Sequence, residues 1–127
     1  WGTIISNWNN QNYCFIGTKL NEPDVIQCYF SGAIEVQYFS LPFQTWLNIS
    51  ITHNDSNVIG YKNGVQTTSA SGTLATQTSG VTSIGYDINR SNYPFLGEIA
   101  SLQIYNRALS AAEVPQNFNA GKDRFGL

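Results

Sequence analysis

The chain has 127 residues, 42% of them hydrophobic, which suits one domain spanning 1–127 with a single core. Charged residues are only 11%, the formal net charge is −2, and no stretch is rich in Lys or Arg, so a nucleic-acid partner, which needs a basic stripe to neutralise phosphates, is excluded. No apolar run approaches the roughly 18 residues of a membrane-spanning helix, so membrane insertion is not expected.

Asn, Ser, Thr, Gly and Tyr stand in place of charge, a set that favours strands with turn-rich connections. No charged leader precedes an apolar segment. The chain opens on Trp1 and contains no Met, which reads as a processed protein or the carboxy-terminal part of a longer one. Residues 3–6 form a short apolar strand, ended by a polar cluster at 7–12. Residues 13–18 and 25–30 read as two strands joined by a turn at Asn21-Glu22-Pro23-Asp24. A hairpin centred on Asn21 sets Cys14 directly across from Cys28, and opposed residues have Cα atoms ~4.5–5.5 Å apart, within disulfide reach. The alternative is a pair of small buried thiols beside Ile16 and Ile26 on the core face.

Ser31-Gly32 makes a two-residue turn, after which 33–39 alternates, with Ile34, Val36 and Tyr38 on one face. Leu47, Ile49 and Ile51 point one way and Asn48, Ser50 and Thr52 the other, the mark of a strand with one packed and one wet face. A turn at 54–57 leads to strands at 58–62 and 65–68 around Asn63-Gly64, a type I′ hairpin signal. Residues 69–80 read as a loop, 81–86 as a strand, 87–93 as a loop and 95–105 as a long strand whose apolar parity switches at a bulge near Ala100-Ser101. Only the end is helical. Ser110 and Glu113 form a capping box, Leu109 and Val114 the matching staple, Pro115 shortens or distorts the helix, and Gly121 stops it. The sum is an all-β, two-sheet antiparallel sandwich of about eight strands with one short C-terminal helix.

Four pieces of the chain, in order, carry a family likeness: Trp46-Leu47-Asn48-Ile49-Ser50-Ile51-Thr52; Gly60-Tyr61-Lys62-Asn63-Gly64-Val65; Ser83-Ile84-Gly85-Tyr86; and Phe95-Leu96-Gly97-Glu98-Ile99 continued by Ile104-Tyr105-Asn106-Arg107-Ala108-Leu109-Ser110. With the tail through Glu113, Asn117-Phe118-Asn119-Ala120 and Arg124-Phe125-Gly126-Leu127, they resemble the laminin G-like domains of bacterial and bacteriophage proteins, within the concanavalin A-like lectin/glucanase superfamily. The resemblance implies a jelly roll whose relatives bind glycans, proteins or calcium. It also implies one or two further strands before Ile4, supplied from elsewhere, and a carboxylate after Ile99 where this chain has Ala100.

Glycosidases of this fold carry Glu-x-Asp-x-Glu on one strand, which places a nucleophile and an acid on one face. The acids here are Glu22, Asp24, Glu35, Asp55, Asp87, Glu98, Glu113 and Asp123, and that motif is absent. His53 is the only histidine, so neither a His-rich metal site nor a paired acid–base is available. A non-catalytic module is therefore expected. Calcium is the candidate cofactor, with Asp87 and Asn89 as metal ligands and Asn92 in the same loop; a second cluster is Asp55 with Asn54 and Asn57. The competing explanation is that Asn and Asp simply make turns. Trp8, Tyr29, Phe39, Trp46, Tyr86 and Tyr93 fall on faces or loops expected to be wet. Tyr86 and Tyr93, with Asp87, Asn89 and Asn92, would form a shallow glycan site, rings stacking on sugar C–H faces and polar groups binding hydroxyls. The alternative for these rings is core packing or a protein–protein surface. The expected partner is a glycan or a neighbouring subunit, and the expected location is extracellular or on a virion surface.

Overall fold

The computed structural model describes residues 2–8, 13–19, 21–30, 34–40, 42, 44–54, 56–72, 80–88 and 93–127, with the side chains of 8, 13 and 34–39 outside that description. Eight strands are assigned: β1 Gly2–Trp8, β2 Tyr13–Lys19, β3 Glu22–Phe30, β4 Ile34–Ser40, β5 Ile49–His53, β6 Asn57–Lys62, β7 Val65–Ser71 and β8 Thr82–Ile84. They form two antiparallel sheets, one in the order β4-β3-β2-β1-β8 and one in the order β5-β6-β7. A helix, α1, covers Glu113–Gly121 and continues as a 3₁₀ turn over Lys122–Phe125. The expected two-sheet sandwich with one short carboxy-terminal helix is what forms.

The core lies between the sheets. Ile26, Cys28 and Phe30, on alternate positions of β3, meet Val58 of β6, with Ile4, Cys14, Ile16, Ile49, Ile51 and Ala70 packed around them. Burying each large side chain of this set contributes about 1.5–3 kcal/mol. The Ile49/Ile51 part of the expected Leu47/Ile49/Ile51 alternation thus reports a real packed face. Its partner face is drier than expected, since Thr52 and Tyr61 are both buried.

The β2–β3 register differs from the expected one. Lys19 pairs with Glu22 across a tight turn with Asn21 at φ 62°, whereas Thr18 already pairs with Ile26. The surplus residues of β3 form a bulge, and exposed Pro23 and Asp24 lie in it. The ladder therefore slides by two positions: Cys14 faces Phe30, and Cys28 faces Ile16. Cys14 and Cys28 become diagonal neighbours, and both are free thiols. The directly opposed pair is corrected in favour of the two buried thiols. A second bulge, between Ile26 and Gln27 in the β3–β4 pairing, brings Phe39 opposite Ile26 and interrupts the simple alternation of β4. The Ser31-Gly32 turn lies outside the described residues.

Asn63 and Gly64 both take positive φ, 51° and 78°, as a type I′ turn demands. The Asn63 side-chain oxygen accepts from the Asn48 N–H at 2.9 Å, and the Asn63 N–H donates to the Asn48 carbonyl at 2.9 Å, so one residue closes the turn and the entry to β5. The ring of Phe118 lies over Gly64, where an added Cβ would come within 2.9 Å, and Phe125 sits 6.0 Å from Trp46. These contacts seat α1 against the β6–β7 hairpin, with Val114 buried beneath it.

The capping box forms as expected: the Ser110 N–H donates to Glu113 Oε2 at 2.8 Å and the Glu113 N–H to Ser110 Oγ at 3.3 Å. Pro115 falls in the first turn, where backbone donors have no intrahelical partner, and the helix runs on undisturbed. The α-helix ends at Gly121 as expected, but without a left-handed residue there; that conformation comes at Gly126, at φ 67°, after the 3₁₀ turn. Residues 98–105, expected as a strand, run without bend or turn yet join no ladder, because no described strand lies alongside to supply hydrogen bonds.

Two predictions follow from this packing. Burial pushes the Cys14 thiol up to about 11 and that of Cys28 well above its ordinary value, with Cys14 adding to the latter, so neither offers a thiolate at neutral pH. Ellman's reagent is expected to label neither thiol until denaturant is added; a disulfide mass in folded, oxidised protein would overturn the register described. The Arg107 guanidinium, then the Ser110 amide and hydroxyl, hold the Glu113 carboxyl down from 4.5 to about 2. A value lower in the folded than in the unfolded chain gives stability that is present above 4.5 and lost as pH falls through about 2. Melting curves should shift downward over that window, and Glu113→Gln should flatten the dependence; equal slopes in both proteins would remove Glu113 as its source.

Candidate functional site

The loop singled out in the sequence begins where β8 ends. Gly85 takes φ 73°, a value costly for residues with a side chain, and turns the chain back across β1. Its N–H donates to the Ile4 carbonyl at 2.8 Å, the Thr3 N–H donates to the Tyr93 carbonyl at 3.0 Å, and the Phe95 N–H donates to the Gly85 carbonyl at 2.9 Å. A parallel bridge between Thr3 and Pro94 completes the closure. Both ends of the loop are therefore pinned to one strand, β1, by main-chain bonds that do not depend on side-chain identity.

Within this frame Tyr86 is 40% exposed, Asp87 is 0% exposed and Ile88 is exposed again. Tyr93 is half-buried at the other end of the loop. Asn89 and Asn92 lie outside the described residues. The structure thus brings Tyr86, Asp87 and Tyr93 to one loop base, with Tyr86 turned outward and the Asp87 side chain enclosed. No three of His, Cys, Asp and Glu converge among the described residues, and Asp87 by itself falls short of the roughly six to eight oxygens that calcium takes.

The second cluster behaves as a turn. Asn54 Oδ1 accepts from the Ser56 and Asn57 N–H groups at 3.0 and 2.8 Å, and Asn57 Oδ1 accepts from Ser71 Oγ at 2.9 Å. Asp55 lies outside the described residues. The other described acids are dispersed: Glu22 is 2.5 Å from Lys19, Asp24, Glu98 and Asp123 are exposed, and Glu113 holds Arg107 at 2.7 Å. His53 lies at the end of β5 with its ring 5.8 Å from Phe30.

The sequence reading missed a buried second face. Directly opposed residues share a face, and the register puts Thr3, Ser6, Phe15, Gly17, Gln27 and Tyr29 together on the side of the larger sheet away from the core. Thr3, Ser6, Phe15 and Gln27 are nonetheless buried, and Tyr29 is half-buried. Ser6 Oγ meets Ser83 Oγ at 3.0 Å across β1 and β8, so this polar face runs up to the strand from which the loop departs. The signal was present in the alternation of Phe15 with Gly17 and Gln27 with Tyr29, two aromatics interleaved with a glycine and an amide. Elsewhere Trp46 is 37% exposed, and the Arg124 guanidinium stacks 5.6 Å from the Phe125 ring beside it. The side chains of Trp8 and Phe39 lie outside the described residues.

Residues 2–115 match the family model Laminin_G_3, described as the concanavalin A-like lectin/glucanases superfamily. Among solved structures the chain is similar to an S-layer domain-containing protein (residues 221–444) from Clostridium thermocellum ATCC 27405, at 19% identity and a TM-score of 0.49. The alignment covers 87% of this chain and 58% of that one, so the chain spans less than two thirds of its length. No curated protein matches.

Gly17 is where the buried face is most tightly constrained. An added Cβ would come within 2.5 Å of the Phe15 ring and would strike the Gly2 carbonyl of the neighbouring strand. Gly17→Ala is expected to cost roughly 1–3 kcal/mol in urea unfolding. An unchanged midpoint would show that β1 and Phe15 do not lie across this glycine.

Proposed function

We propose, from the premise that this chain belongs to the Laminin_G_3 family of the concanavalin A-like lectin/glucanases superfamily, that it is a non-catalytic binding module on a cell or virion exterior that recognises surface polysaccharide. The observation that carries this reading is the pinned loop at 85–95. Two main-chain hydrogen bonds fix its base on β1 and a third joins its two ends, and at that base Tyr86 is 40% exposed. A ring held on a rigid base stacks on a sugar with little loss of its own freedom. Asn89 and Asn92 supply amides for the hydroxyls, and Asp87 with Asn89 supplies oxygens of the kind calcium takes. A second reading, a structural surface protein that assembles through a sandwich edge, is favoured by the unpaired run at 98–105.

The test is a broad array of bacterial polysaccharides probed with the whole chain, once with calcium and once with chelator. Binding is expected, and Tyr86→Ala should weaken it by about tenfold or more while the chain stays folded by far-UV circular dichroism, since Tyr86 is 40% exposed and outside the core cluster. Silence across the array under both conditions, or full binding by the variant, would remove the glycan reading. Release of reducing ends from a bound polysaccharide would instead make the protein a hydrolase.

A further inference from the structure

We propose that residues 98–105 are the surface on which a second copy of this chain docks, the two segments lying antiparallel about a two-fold axis at Leu102. This develops the assembly reading and is independent of glycan recognition.

The segment is built like a strand and is not used as one. From 98 to 105 there is no bend or turn, while bends flank it at Gly97 and at Asn106-Arg107. None of its backbone groups hydrogen-bonds to a described strand. Its apolar side chains remain in water on both faces, Leu102 and Ile104 at 41% and 71% exposure on one and Ile99 and Tyr105 at 38% and 45% on the other. A helix laid on this surface would cover one face and leave the main chain unsatisfied. A strand alongside pairs the facing main-chain edge and lets side chains of both faces pair. The devices that blunt exposed edges are missing, since no Lys, Arg or Pro occurs between Glu98 and Asn106.

The polarity pattern names the partner. From Glu98 to Asn106 the run is Glu-Ile-Ala-Ser-Leu-Gln-Ile-Tyr-Asn, whose order of polar and apolar residues reads the same from either end. In an antiparallel pair, opposed residues alternate between hydrogen-bonded and non-hydrogen-bonded sites, so two copies related by a two-fold axis must place one residue opposite itself. With Leu102 at the axis, every position meets its own kind. Ser101 faces Gln103, Ala100 faces Ile104, Ile99 faces Tyr105 and Glu98 faces Asn106. Moving the axis to Gln103 sets Ile99 against Arg107 and Ser101 against Tyr105, and the match is lost. The small Ala100 opposite the large Ile104 also gives the interface shape. Arg107, engaged by Glu113 at 2.7 Å, stays clear of the paired run.

Sedimentation of the whole chain over a concentration series, read beside amide hydrogen exchange, tests this. A dimer is expected, with amides of 98–105 protected only where the dimer forms. Leu102→Lys sets two ammonium groups face to face on the axis and should weaken association by about tenfold or more. Its exposed position leaves the fold intact, which far-UV circular dichroism of the monomer checks. Under mild oxidation Leu102→Cys should cross-link to itself, since self-opposed Cα atoms lie ~4.5–5.5 Å apart, whereas Ile104→Cys should not. A chain that stays monomeric with unprotected amides, a dimer indifferent to Leu102→Lys, or equal cross-linking at the two cysteine positions would each overturn the proposal. Protection of 98–105 in a strict monomer would overturn it as well, by showing that something other than a second copy covers the segment.

Discussion

The structure depends on one strand being held on three sides. β3 pairs along one edge with β2 and along the other with β4, and it turns Ile26, Cys28 and Phe30 onto Val58 of the opposite sheet. Every position on its inner face is thereby committed, and because side chains alternate, so is every position on its outer face. A slip of one residue would exchange Ile26 and Cys28 for Gln27 and Tyr29 and leave an amide in the core. The bulge beside Lys19 is what lets β3 satisfy this condition and still close a tight turn. It absorbs surplus residues at the exposed end of the hairpin, where Pro23 costs no ladder bond that the core requires.

From that constraint the remaining parts take their places. The outer face of the larger sheet, with Phe15 across Gly17 and Ser6 on Ser83, carries the inner order across to β1 and β8. β1 then serves as a fixed rail for the loop at 85–95. On the smaller sheet the Asn63-Gly64 turn does two things at once, closing a hairpin and offering a bare surface to Phe118. The Arg107–Glu113–Ser110 linkage fixes where the helix begins, so the unbent run before it ends at a defined point.

Much of this was legible in the residues. Asn63-Gly64, the Ser110/Glu113 box and the Ile49/Ile51 alternation each state a local rule that no distant contact overrides. The Cys14–Cys28 register was not legible, because Pro23-Asp24 can sit in a turn or in a bulge with the same composition, and only the packing of β3 decides between them. The α-helix does end at Gly121, but a glycine permits a left-handed residue without requiring one, so the chain runs on as a 3₁₀ turn and Gly126 supplies the left-handed residue. For residues 95–105 the pattern predicted a strand that does not form, because a ladder needs a second chain segment, which composition cannot supply. Of the candidate site, the residue types of the loop at 87–93 were readable, but not the inward turn of Asp87, which follows from the loop's attachment to β1.

That attachment has a consequence for the order in which the molecule matures. Ser6 and Ser83 are 77 positions apart in the chain, and both ends of the loop are bonded to the first strand. During synthesis β1 to β4 can join as they emerge, each beside its predecessor, whereas β8 must travel back across the finished meander to find β1. Long-range closure of this kind is entropically slow. Closure of the loop therefore waits on β8 meeting β1, and a chain that has gained most of its sheet structure still lacks the pinned loop base until its two halves have met.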